Sequence, residues 1–135
     1  MMISNFDELI AAAKAQANDQ HLILVYTVAE LPEDATPQQR ADFEAGHGGA
    51  LVPVACVDKK REELTSFADL CVEARDYVPE WNVLFAGALD VPPLETLSDD
   101  KIDQTVETVL AKIKAGQFET LIPFDANGQT IDLSQ

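Results

Sequence analysis

Apart from its carboxylates, this chain has few residues able to do chemistry: two histidines, two cysteines and one run of adjacent cations. His47 stands in Gly46-His47-Gly48-Gly49, where a loop imidazole could transfer a proton or touch a ligand. His21 opens an apolar run and reads as a strand-boundary residue. Neither has a nucleophile or further ligands at metal-site spacing, so no catalytic residue, no metal site and no cofactor is assigned. Cys56 falls on an apolar strand pattern and Cys71 on an apolar helix stripe. That is the setting of packed thiols. A nucleophilic thiol needs an exposed, electropositive place, and only Lys59-Lys60-Arg61 could offer one. The triplet disfavours a helix start, because cations oppose the dipole there, and a bound anion would compensate. In the plainer reading Glu62 and Glu63 neutralise it.

The carboxylates are the largest group. Asp99, Asp103 and Glu107 fall at i, i+4 and i+8, with Asp100 beside them, so one face of a helix carries all four. Asp69, Glu73 and Asp76 repeat the pattern earlier. Such a face is either merely solvated or a docking surface for a basic protein, including one that otherwise grips a phosphate backbone. Nine Lys/Arg against 24 Asp/Glu give a net charge of −15, which argues against nucleic acid and anionic membrane as direct partners. The dinucleotide fingerprint is absent, since Leu51 stands where its third glycine belongs. There is no phosphate loop ending in Gly-Lys-Ser/Thr and no Gly-x-Ser-x-Gly elbow.

The elements that must position these residues follow from periodicity and punctuation. Residues 5–17 read as a helix with Phe6, Leu9, Ile10, Ala13 and Ala17 on one side and a capping box from Ser4 to Asp7. Residues 21–28 are apolar on both faces, the mark of a central strand. Thr36-Pro37-Gln38-Gln39 supplies a cap, a proline at the first helical position and a returning Gln. Residues 50–57 form a second strand, placed at an edge or bulged by Pro53, which has no N–H for a ladder. Residues 58–78 read as mostly helical, with Leu64, Phe67, Ala68, Cys71, Ala74 and Tyr77 as the stripe. A third strand covers 82–89, and Ser98 caps a helix over 99–115 that Gly116 ends. Residues 118–124 and 130–133 form a hairpin around Asp125-Ala126-Asn127-Gly128, with Gly128 left-handed.

Strands alternating with helices predict an α/β (α+β) fold: a mixed, partly parallel sheet of four to five strands, helices packed on it and a C-terminal β-hairpin. The 135 residues make one acidic domain, 1–135. If the first three strands were parallel, a ligand would sit beyond their carboxyl ends, and Glu30, His47, Asp58, Lys59 and Asp90 would be its neighbours. The N-terminus has no basic segment followed by an apolar one, and no apolar run reaches membrane-spanning length, so the expected place is the cytoplasm.

The start Ile3-Ser4-Asn5-Phe6-Asp7-Glu8-Leu9-Ile10, the centre from Gly48 through Lys59 (GGALVPVACVDK) and the end Ile122-Pro123-Phe124-Asp125 resemble a family of small uncharacterised proteobacterial proteins. Members are sometimes labelled ribonucleotide reductase subunit alpha. The resemblance carries over no catalytic residue, because that enzyme has several hundred residues, a radical cysteine and a redox cysteine pair. Two function classes follow. The first is a non-enzymatic interaction or regulatory protein that binds a basic partner through Asp99, Asp100, Asp103 and Glu107. The other is a small-ligand-binding or enzymatic domain using the strand-end residues.

Overall fold

The computed structural model describes residues 3–30, 34–44, 50–78 and 80–131. Among the described residues nine elements follow one another: α1 (Phe6–Ala15), β1 (Asp19–Glu30), α2 (Pro37–Glu44), β2 (Ala50–Lys60), a 3-10 turn (Arg61–Glu63), α3 (Phe67–Ala74), β3 (Val83–Val91), α4 (Asp99–Lys114) and β4 (Ile122–Phe124). The strands form one sheet in the order β2-β1-β3-β4, and every neighbouring pair is antiparallel.

The α+β class holds, but the partly parallel sheet does not. α2 explains the first difference. A crossover helix must lie along the sheet, and β1 has 12 residues, about 40 Å of strand. α2 has eight residues, about 12 Å, and its sequence PQQRADFE offers no apolar stripe to lay on a sheet. The chain therefore turns back, and β2 pairs antiparallel beside β1. α3 does connect two strands of the same direction, β2 and β3, but β1 lies between them.

β1 is buried on both faces from His21 to Thr27. On one face Leu22, Leu24 and Tyr26 pack with Phe6, Leu9, Ile10 and Ala13 of α1 and with Leu70 and Ala74 of α3. On the other, Ile23, Val25 and Phe85 pack with Val109 and Ile113 of α4. β2 is an edge strand, as Pro53 requires, and its register slips there. Tyr26 faces Ala55, Thr27 faces Pro53, and Val54 is left unmatched and exposed.

The helix starts are built by side chains. Thr36 Oγ1 accepts from Gln39 N at 3.1 Å while Gln39 Oε1 accepts from Thr36 N at 2.8 Å, a reciprocal capping box. Ser98 accepts from Lys101 N and starts α4. α1 is capped one residue later than expected: Asn5 accepts from Glu8 N, and Ser4 binds the Glu8 carboxylate. Those Ser4 hydrogen bonds hold the Glu8 carboxyl below its ordinary range.

Two expectations change in the middle and at the end. Residues 58–60 extend β2, because Asp58, Lys59 and Lys60 keep pairing with Ile23, Leu22 and His21. α3 begins only after Ser66 caps Asp69 N, and its buried side is Leu70 and Ala74, with Ala68 outside. The C-terminal hairpin is not a two-stranded ladder, so among the described residues the sheet has four strands, the lower of the four to five expected. Gly128 is left-handed at φ 80, and Asp125 Oδ1 accepts from Asn127 N and Gln129 N. Among the described residues, however, the returning arm meets the outgoing one only in the isolated bridge Phe124–Thr130. Its other bonds go to the start of the chain, with Thr130 N donating to Ser4 O at 3.1 Å and Phe6 N donating to Gly128 O at 2.8 Å. Residues 132 and 133 of the expected arm lie outside the described residues. Among the described residues no helix is long and apolar enough to cross a membrane.

Candidate functional site

α4 is the most clearly two-sided element. Ile102, Val106, Val109, Leu110 and Ile113 all pack into the core on one side. Asp99, Asp100, Asp103 and Glu107 are exposed on the rest of the helix. None of the four side chains has a hydrogen-bond or ion-pair partner among the described residues. Asp99 and Asp100 lie in the first turn, where the helix dipole favours them, whereas Glu107 is too deep in the helix for that benefit. The earlier acidic line is different. Asp69 accepts from Thr65, and Glu73 accepts from Lys59 Nζ at 2.6 Å and from Tyr77 Oη at 3.2 Å. Two of its three carboxylates are thus already engaged.

The strand-end set is not brought together. Glu30 pairs with Ala50 at one end of the sheet. Asp58, Lys59 and Asp90 lie at the other end, where β2 and β3 finish beside the start of β1. Asp58 faces Ile23, seven residues of strand from Glu30, which is about 23 Å. The antiparallel sheet is the cause, since strands of opposite direction put their carboxyl ends on opposite sides. His47 lies outside the described residues.

The three residues at the lower end have structural partners instead. Half-exposed Asp58 meets buried His21 Nε2 at 2.8 Å. Asp90 accepts from Asn18 at 2.7 Å and from Gln20 at 2.6 Å. Lys59 meets Glu73, and that hydrogen bond raises its pKa. Arg61 Nη1 donates to the carbonyls of Ala13, Gln16 and Asn18, and its Nη2 donates to Asp19. The basic triplet is therefore built into the fold by two of its members. The His21–Asp58 pair escaped sequence reasoning because only the ladder register brings residues 21 and 58 together.

Cys56 and Cys71 are unpaired and partly buried. Burial pushes the Cys56 thiol up to about 11, and it also raises Cys71, against a smaller opposing effect from Arg75.

Tyr26 is fully buried, and among the described residues the only group near its hydroxyl is that of Tyr77, which lies outside good hydrogen-bond geometry. Burial drives its pKa far above the ordinary 10.0, reinforced by the Tyr77 hydroxyl and more weakly by Cys71 and Glu73. Above pH 10 the unfolded chain releases this proton and the folded chain keeps it. Stability is therefore whole below pH 10 and falls as pH rises beyond it, by up to about 1.4 kcal/mol per pH unit. Tyr26→Phe removes the titrating hydroxyl and keeps the ring. It should move the midpoint of alkaline unfolding, followed by circular dichroism, to higher pH. A midpoint unmoved by the substitution would exclude Tyr26 as its source.

The chain matches no family model, no curated protein and no solved structure.

Proposed function

We propose that this chain is a non-enzymatic interaction protein that holds a basic protein partner on the acidic face of α4. The observation behind the reading is that Asp99, Asp100, Asp103 and Glu107 are exposed and unpartnered on a helix whose other side is fixed in the core. Like charges at i, i+4 spacing repel by a few tenths of a kcal/mol per pair. A cationic partner turns that repulsion into attraction, and it speeds encounter in a salt-sensitive way. A net charge of −15 works in the same direction over longer range. A reducing compartment such as the cytoplasm suits the two unpaired thiols.

Asp103→Lys combined with Glu107→Lys tests the site. Both positions lie off the Ile102/Val106/Val109/Ile113 stripe, so stability should change by no more than about 0.5 kcal/mol. Affinity capture from lysate is run in parallel on the original and the doubly reversed chain, at low and high salt. The expected result is a basic protein that the original retains at low salt, releases at high salt, and that the reversed chain does not retain. Equal capture by both chains would show that this face is merely solvated.

A further inference from the structure

A cleft of about 570 Å³ opens at the end of the sheet where β1 finishes and β3 begins. That is within the usual size of small-molecule sites, about 300–1,000 Å³. Val28 of β1, Cys71 of α3, and Arg75, Glu80, Trp81 and Asn82 of the segment before β3 contribute to its walls.

Three of these residues converge on one kind of ligand. Trp81 is half-buried, and its ring stands edge-on to Tyr26 at 5.4 Å and to Phe67 at 6.3 Å, so it is a fixed aromatic wall. Arg75 follows α3, and its N–H caps the helix by donating to the carbonyls of Cys71 and Glu73. Its guanidinium holds no carboxylate among the described residues, although the chain has 24 acids for nine cations. Asn82 is oriented from both ends. Its N–H donates to Thr27 O at 2.8 Å, and its Oδ1 accepts from Ala29 N at 2.7 Å. That leaves the Nδ2 hydrogens to give. An aromatic wall, a free planar cation and a free amide donor suit a flat ring bearing a carboxylate. Glu80 on the same wall repels any anion, a dianion about twice as strongly as a monoanion, so a single carboxylate is the better match for the one guanidinium.

We propose that this cleft binds a small aromatic monocarboxylate, with its ring against Trp81 and its carboxylate on Arg75 and Asn82 Nδ2. The site is separate from the acidic face of α4 and stands or falls independently of it.

Trp81 is the chain's one tryptophan, so its indole N–H gives a single reporter signal in a proton–nitrogen correlation spectrum. The whole chain is titrated with benzoate, with benzyl alcohol as the neutral analogue and inorganic phosphate as the non-aromatic anion. Benzoate should shift the Trp81 signal saturably. Benzyl alcohol should bind about tenfold more weakly, the worth of one charge-assisted contact, and phosphate should not move the signal. Arg75→Gln, an exposed change that a thermal melt verifies as folded, should cost benzoate about tenfold. Arg75→Lys, which keeps the charge without the planar fork, should fall between. A Trp81 signal that never saturates, or benzoate binding as tight to Arg75→Gln as to the original, overturns the proposal.

Discussion

Gly128→Ala should destabilise the protein by about 2–5 kcal/mol, because two separate costs meet at one position. Gly128 has φ 80, a left-handed conformation that costs a side-chain-bearing residue about 1–2 kcal/mol. It is also buried, and a Cβ there would stand 2.8 Å from a Phe67 ring carbon and 3.0 and 3.1 Å from two more. The ring has little room to retreat, since Phe6 packs on it at 5.6 Å and Trp81 at 6.3 Å. Overpacking of that kind adds about 1–3 kcal/mol. The damage would spread, because Gly128 O accepts from Phe6 N and ties the last turn to the start of α1. Gly116→Ala is the matched control. Its φ of 74 imposes the same backbone strain, but no atom lies within 4 Å of the added Cβ. Thermal melts should put Gly128→Ala on the order of 10 °C below the original and Gly116→Ala much closer to it. Equal losses in the two variants would show that the Phe67 contact carries no weight.

The parts of this fold legible in the sequence are those decided locally. The apolar run around Ile23–Tyr26 announces a strand buried on both faces, and β1 is that strand. Pro53 announces an edge or a bulge, and β2 has both. Thr36, Ser98, Gly116 and Gly128 act where turn and cap chemistry places them. Strand order is a different kind of fact. β1 lies between β2 and β3 and runs against both, and although 21–28 reads as central and Pro53 as edge, nothing in either run encodes which strand is the neighbour or in which direction it runs. The candidate ligand set failed for that reason, with Glu30 at one end and Asp58, Lys59 and Asp90 at the other. The α4 face needed no such knowledge. Its residues lie on one helix, so spacing alone groups them, and their exposure follows from the apolar stripe opposite.

Arg61 shows the same limit from the other side, and Arg61→Ala should cost about 2–4 kcal/mol. In the sequence it is the third cation of a surface-like triplet, open to an anion. In the fold its side chain is only 17% exposed. The guanidinium Nη1 sits among the carbonyls of Ala13, Gln16 and Asn18 at 3.0, 2.8 and 3.0 Å, and Nη2 meets Asp19 at 2.8 Å. The last carbonyls of a helix have no partners of their own, and they carry its negative dipole end. A cation placed there, reaching across from the end of β2, closes α1 and fixes the turn into β1 in one step. Hydrogen bonds from a charged donor contribute about 1.5–3 kcal/mol each. Water reaches Gln16 and Asp19 at the surface, so the total stays well below the sum. Arg61→Lys should recover part of the loss, since an ammonium can donate to carbonyls but cannot also reach Asp19 with a fork. Hydrogen exchange localises the effect. Amides in the last turn of α1 should lose protection in Arg61→Ala, while those in the middle of α4 change only with global stability. An Arg61→Ala protein that melts within about 1 °C of the original would return the triplet to the anion reading. Phosphate should then raise the melting temperature of the original chain and not that of the variant.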